Sequence, residues 1–145
     1  MMKRRFSGTY TRLNVAAGAE TYFHKNGRAF LKEKVLSDVV RSGPIFDEVR
    51  AQLGDWVEQL TLNKNLKCSR HVDRNEGESS IVFFGDYPEG GGLFVETPVG
   101  VRHLQQKEVW HTYNGRHPHW TEEWDTQYDR YSIVAYRKPK KKNAE

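Results

Sequence analysis

From Trp56 onwards, the chain consists largely of short apolar runs separated by residues that favour turns. Such runs, bounded by Gly, Pro, Asn and Asp, are typical of β-strands. They lie at residues 80–84, 92–96, 99–102, 108–113 and 130–136, and an alternation of leucines with polar residues predicts a further strand over 56–69. The glycine-rich segment 88–92 is expected to be a turn. This succession of short strands predicts a sandwich or a barrel.

The region before these strands has the apolar spacing of helices. Apolar residues recur at intervals that suit a helix over 29–40, namely Phe30, Val35, Leu36, Val39 and Val40. A second helix is predicted over 45–53, because Pro44 suits its first turn and Gly54 follows its end. Helices over about 29–54 would therefore support a β core over about 56–137 in a single mainly β (α+β) domain of 145 residues.

Charge and cysteine content limit the kinds of protein that this chain can be. Lys and Arg number 23 against 19 Asp and Glu, so the formal net charge is +4 and the pI is about 9.2. This basic balance permits a nucleic-acid partner. The basic tail 138–145 would contribute to such binding, or it is simply a solvated tail. The single cysteine, Cys68, excludes a disulfide framework and a CxxC zinc site. Without a signal-peptide or membrane-spanning pattern, we expect a soluble intracellular protein, cytoplasmic or nuclear, with no membrane contact.

His71 and Asp73 are two residues apart at the end of the predicted strand 56–69. Side chains two apart on a strand point to the same face, so both could bind one metal ion. If the strand stays extended, Asn63 and Asn65 would line the same cavity. A second histidine from another strand would complete a set of two histidines and one carboxylate. Non-haem Fe(II) oxygenases use this set because it leaves positions open for a cosubstrate and O₂.

Four histidines downstream are candidates for the third ligand. We favour His119, because it follows Pro118, whose fixed φ holds the entry to the next strand. His117 competes with it for this role. His103 and His111 are interpreted as structural or exposed residues.

Arg130 begins an otherwise apolar strand and shares one of its faces with Ser132. A guanidinium group binds a carboxylate through two parallel hydrogen bonds, and a neighbouring hydroxyl can donate another. This pair is therefore a candidate site for an anionic cosubstrate. The alternative is an ion pair between Arg130 and Asp125 or Asp129, or simple exposure at the strand end.

Taken together, these residues resemble the 2-oxoglutarate/Fe(II)-dependent dioxygenase superfamily. The resemblance extends over about residues 60–137 and rests on LTLNKN at 60–65, HVDRN at 71–75, GDY at 85–87 with GGL at 91–93, YNGRHPH at 113–119 and RYS at 130–132. The Asn-rich strand before HVDRN and the GDY segment look most like the TET and base-J thymine hydroxylase group. That branch oxidises methylated pyrimidines in nucleic acid.

The resemblance implies a double-stranded β-helix, a jelly-roll or cupin-like barrel with supporting N-terminal helices. It implies three cofactors and cosubstrates, namely Fe(II), 2-oxoglutarate and O₂. The implied Fe(II) ligands are His71, Asp73 and His119, and the implied contacts to 2-oxoglutarate are Arg130, Ser132, and Asn63 or Asn65.

Three hypotheses of function follow. The leading one is hydroxylation of a pyrimidine base in DNA or RNA, with the base flipped out of a duplex or already single-stranded. The second is hydroxylation of a peptide side chain such as proline, which binding that withstands salt would favour. The third is a non-catalytic jelly-roll binding module, which would form no succinate from 2-oxoglutarate.

Overall fold

The structure is a computed structural model that describes residues 35–139 of the chain. Predictions for residues 29–34 and for the tail beyond residue 139 lie outside the described residues. The elements are β1 (Leu36–Val40), α1 (Pro44–Leu53), β2 (Gln59–Lys64), β3 (Glu76–Gly85), β4 (Leu93–Thr97), β5 (Gly100–Leu104), β6 (His111–Tyr113), β7 (His119–Thr121) and β8 (Arg130–Arg137). Within residues 35–139, no helix is long and apolar enough to cross a membrane.

The strands form two antiparallel sheets. The larger has the order β1-β2-β8-β3-β6, and the smaller has the order β5-β4-β7. Reciprocal backbone hydrogen bonds between His71 and His119, of 3.0 and 2.9 Å, add the segment before β3 to the smaller sheet next to β7. The chain thus passes repeatedly between the two sheets. The fold is a jelly-roll-like double-stranded β-helix, which confirms the predicted mainly β fold class.

Strand β8 shows how alternation of side chains places the core and the cavity. Ile133 and Ala135 are fully buried in an apolar cluster with residues of β2 and α1. Arg130, Ser132, Val134 and Tyr136 point to the opposite face and line a cavity between the sheets. A second apolar cluster, which includes Phe83 and Val95, packs the two sheets against each other.

The predicted helix over 29–40 is wrong where it can be compared. Residues Leu36–Val40 form β1, which pairs antiparallel with β2, with Leu36 opposite Lys64 and Val40 opposite Leu60. Pairing with β2 overrides a local spacing that also suits a helix, and β-branched valines favour a strand. The second predicted helix is confirmed as α1, with Pro44 in its first turn and Gly54 N–H donating to Arg50 O at 2.8 Å.

The predicted strand over 56–69 is shorter than expected. β2 ends at Lys64, and Asn65 adopts a left-handed backbone conformation with φ of 57°. This residue reverses the alternation, so that Leu66 and Cys68 line the cavity rather than the opposite face. The other predicted strands are present as β3, β4, β5, β6 and β8 with shifted ends.

Candidate metal and cosubstrate site

A cavity of about 270 Å³ opens between the two sheets. Its volume is close to the lower end of the range for small-molecule sites. The residues that line it include His71, Asp73, His119, Arg130, Ser132 and Asn63. The double-stranded β-helix therefore brings the proposed metal ligands and the proposed cosubstrate contacts into one space, although the chain separates them widely.

Each of the two histidines faces one oxygen of the Asp73 carboxylate. His119 Nε2 is 3.2 Å from Asp73 Oδ2, and His71 Nε2 is 3.6 Å from Asp73 Oδ1. One potential ligand atom from each residue lies within 4.8 Å of the others. Among the described residues this is the one group of histidine, cysteine and carboxylate side chains with such spacing. The donor set suits a non-haem Fe(II) site.

Backbone carbonyls fix the orientation of both imidazole rings. His71 Nδ1 is 2.7 Å from Ser69 O, and His119 Nδ1 is 2.8 Å from His117 O. A carbonyl oxygen only accepts, so each Nδ1 must carry the proton. In the neutral tautomer, each Nε2 therefore presents a lone pair towards Asp73. Metal-binding histidines are commonly oriented in this way by a hydrogen bond at their other nitrogen.

The protonation of His119 responds to the same neighbours. Burial alone lowers the pKa of this imidazole, but its hydrogen bonds to Asp73 and to the His117 carbonyl raise the pKa, and the net direction is upward. The pocket around Asp73 therefore favours a positive charge between the carboxylate and the rings. A metal cation would supply that charge directly.

The competing histidines lie elsewhere. His117 belongs to a turn, in which its N–H donates to Asn114 O at 3.0 Å, and its carbonyl rather than its ring supports His119. His103 pairs with Glu122, and His111 Nε2 lies 2.8 Å from Gln106 O. None of these three rings lines the cavity.

Arg130 is the buried cation of the cavity, with 2% of its surface exposed. Its guanidinium donates to the carbonyl oxygens of Gly91, Leu66 (3.3 Å) and Gly92 (3.5 Å). Among residues 35–139, no carboxylate forms an ion pair with it. The alternative partners are engaged elsewhere, since Asp129 accepts from Asn65 and Asp125 from Gln127 N–H.

The lack of a carboxylate partner for Arg130 within residues 35–139 has a physical consequence. Burial lowers the pKa of Arg130 to about 10, because apolar surroundings disfavour its charged form. A buried charge without a partner is costly, and such groups are normally paired. An anionic ligand in the cavity would supply the partner, and a carboxylate matches the guanidinium geometry.

The polar residues expected beside Arg130 have different positions. Asn63 Nδ2 donates to Ser132 Oγ at 3.2 Å, and Asn63 Oδ1 accepts from Ser37 Oγ at 2.7 Å, so both Asn63 and Ser132 are held at the cavity wall. Asn65 does not line the cavity, unlike the expectation from the sequence. Its left-handed backbone directs the side chain to the start of β8, where Oδ1 accepts from Arg130 N–H at 2.8 Å.

Tyr87 is a candidate that the sequence pattern did not reveal. It is 1% exposed, and its hydroxyl has no hydrogen-bond partner in the described structure. Burial raises its pKa to about 12, while the nearby charge of Arg130 opposes this rise. A Cβ at Gly85 or Gly91 would come within 3.1 or 2.7 Å of the ring. Glycines on both sides of a tyrosine were the available sign of this tight packing.

Sequence comparison finds no family model that matches the chain and no curated protein similar to it. Solved structures that resemble it include a prolyl-4-hydroxylase from Pseudomonas putida, with a TM-score of 0.57 and 15% identity over 95% of this chain and 91% of that chain. NgTET1 in complex with 5mC DNA has a TM-score of 0.53 and 12% identity over 84% and 68%. A 2OG-Fe(II) oxygenase family oxidoreductase from Burkholderia pseudomallei has a TM-score of 0.51 and 14% identity over 89% and 91%. The chain therefore shares the fold of 2-oxoglutarate/Fe(II) oxygenases.

Proposed function

We propose that this protein is an Fe(II)- and 2-oxoglutarate-dependent dioxygenase. The observation that carries this proposal is one cavity that holds both a His-Asp-His set and a buried arginine that has no carboxylate partner among residues 35–139. When bound, Fe(II) supplies oxidation by O₂, in which one oxygen atom converts 2-oxoglutarate to succinate and CO₂ and the other becomes a hydroxyl group on a substrate C–H.

The residues of the chain would bind and orient these reactants. His71 and His119 would hold Fe(II) through Nε2, with Asp73 as the carboxylate ligand. Arg130 would donate hydrogen bonds to the distal carboxylate of 2-oxoglutarate, and the Ser132 hydroxyl would add another. Arg130 is buried, so little water would reach this ion pair, and the ion pair would be stronger than at the surface.

Succinate formation without a substrate tests the activity itself. The purified protein would be incubated with Fe(II), ascorbate and 2-oxoglutarate, and succinate would be followed by NMR. Slow, Fe(II)-dependent succinate formation is expected from the unmodified chain and none from Asp73→Ala. If the unmodified chain neither forms succinate nor binds 2-oxoglutarate, the proposed activity is incorrect.

Tyr87→Phe should separate cosubstrate binding from stability. Removal of a buried hydroxyl that has no partner in the part of the chain that the structure describes should not lower the melting temperature. If the phenol donates to the carboxylate bound by Arg130, affinity for 2-oxoglutarate should fall about tenfold, the value of one hydrogen bond to a charged group. Calorimetry on the Mn(II)-loaded protein would measure this, with Tyr128→Phe, at a partly exposed position, as the control. Unchanged affinity would assign Tyr87 to the core alone.

For the substrate, we propose a pyrimidine base of DNA or RNA. Two exposed arginines, Arg74 and Arg116, directly follow Asp73 and Gly115, which are joined by a 2.8 Å backbone hydrogen bond next to the metal ligands. Within residues 35–139 neither arginine has an ion-pair partner, so both can bind phosphate groups. The net charge of +4 supports a polyanionic partner. NgTET1, which shares the fold, is seen with 5mC DNA.

Neutralising both arginines should weaken binding to nucleic acid at low salt. In the Arg74→Gln/Arg116→Gln double variant, the slope of log affinity against log salt should fall by roughly 1.4 for single strands, since each phosphate contact contributes about 0.7. Arg102→Gln, at an exposed arginine of β5, should leave the slope unchanged. Filter binding would measure these values, and nucleoside mass spectrometry would detect oxidised bases.

The same assay distinguishes the peptide alternative. The prolyl-4-hydroxylase from Pseudomonas putida shares the fold, so proline-containing peptides form the second arm of the substrate test. If no nucleic acid binds at low salt and a peptide stimulates succinate formation, the substrate proposal is overturned and the dioxygenase proposal stands.

A further inference from the structure

Glu122 holds the peptide group that Arg130 contacts. This residue follows β7, and its Oε1 accepts a 3.0 Å hydrogen bond from Gly92 N–H. Its own N–H donates to Gly92 O at 3.0 Å. Glu122 is therefore bonded to both sides of Gly92, once through its side chain and once through its backbone.

The same glycine segment provides acceptors for Arg130. The guanidinium donates to Gly91 O and lies 3.5 Å from Gly92 O. No side chain fits at Gly92, because a Cβ would collide with the carbonyl oxygen of Leu104 and come within 3.1 Å of Glu122 Oε1. The Gly91–Gly92 segment is thus fixed between β5, Glu122 and Arg130.

His103 fixes the Glu122 side chain in turn. His103 Nε2 is 2.7 Å from Glu122 Oε1, and the ring stacks on Phe94 with centroids 4.4 Å apart. Burial lowers the pKa of Arg130, and the charge of Glu122 opposes this effect, after Tyr87 and Cys68. Glu122 therefore acts on Arg130 both through the peptide and through its charge, although the two side chains form no ion pair.

We propose that Glu122, fixed by His103, is a positioning residue that orients Arg130 for the distal carboxylate of the cosubstrate. The inference rests on the proposed function and adds a determinant outside the cavity, since neither Glu122 nor His103 lines it. The Glu122 side chain would influence the affinity for 2-oxoglutarate without contacting that molecule.

Calorimetric titration of 2-oxoglutarate into the Mn(II)-loaded protein tests this role. Glu122→Ala should weaken 2-oxoglutarate binding about tenfold, a loss typical of outer-shell changes, and leave Mn(II) affinity within about twofold. Glu122→Gln keeps an acceptor for Gly92 N–H but loses the charge, so it should restore part of the affinity. Glu123→Ala is the matched control, because that neighbouring side chain only forms an exposed ion pair with Lys67.

A second readout is independent of the cosubstrate. The NMR signal of the Arg130 Nε–H can be assigned because it is absent from Arg130→Lys. This hydrogen should exchange slowly with solvent in the unmodified protein. Exchange should accelerate in Glu122→Ala and in His103→Ala but not in Glu123→Ala. Equal protection in folded Glu122→Ala and the unmodified protein would overturn the inference. If protection changes as expected while 2-oxoglutarate does not bind, the positioning of Arg130 stands and the proposed function fails.

Discussion

His119→Ala is expected to abolish Fe(II)-dependent succinate formation and to weaken metal binding by more than about 100-fold. Changes to the outer shell of metal sites already cost 10–100-fold, and this change removes a ligand. His119 is 3% exposed and its Nε2 lies 3.2 Å from Asp73 Oδ2, so the change removes a donor atom that the fold holds beside the carboxylate. Calorimetric titration with Mn(II) and the succinate assay would measure both effects.

His117→Ala is the matched control for this experiment. The change keeps the His117 carbonyl, which accepts from His119 Nδ1, and removes a ring that does not line the cavity. Activity should therefore stay within a few-fold of that of the unmodified chain. Circular dichroism would verify that both variants are folded. The ligand assignment is incorrect if His117→Ala loses metal binding and His119→Ala keeps it.

The sequence predicted the face of a side chain well within one continuous strand. Arg130 and Ser132 lie on the cavity side of β8 and Ile133 lies in the core, as their alternation predicts. The same rule holds over the two residues from His71 to Asp73. The rule fails from Asn63 to Asn65, because Asn65 has a left-handed backbone and β2 ends before it, ahead of the proposed metal ligands.

Local sequence patterns could not predict the features that depend on contacts between distant parts of the chain. The spacing of Leu36 and Val40 fits a helix as well as a strand, and only pairing with β2 selects the strand. Tyr87 lies in the GDY segment that carries part of the resemblance, but the segment assigns no role to its side chain, and no motif surrounds Glu122. Their positions become informative when Gly91, which packs against the Tyr87 ring, and Gly92, which bonds to Glu122, are found against Arg130.

Arg130→Lys is expected to weaken 2-oxoglutarate binding by about 30-fold, or about 2 kcal/mol, with little change in Mn(II) affinity. Lysine keeps the charge but loses the planar fork that donates two parallel hydrogen bonds to a carboxylate. An ammonium group is also more strongly hydrated than a guanidinium, so its burial costs more free energy. Burial lowers the pKa of a lysine as well, so part of the positive charge is lost.

The position of Arg130 makes this loss specific to the cosubstrate. Its guanidinium contacts carbonyl oxygens of Leu66, Gly91 and Gly92, and none of these residues is a proposed metal ligand. Calorimetry with Mn(II) alone and then with 2-oxoglutarate would separate the two affinities, with Arg102→Lys as the control at an exposed arginine. Unaltered 2-oxoglutarate affinity would mean that the buried charge serves only to join β8 to the glycine segment. A large loss of 2-oxoglutarate affinity with intact metal binding would identify the cosubstrate carboxylate as the ionic partner of Arg130, which has none among the described residues.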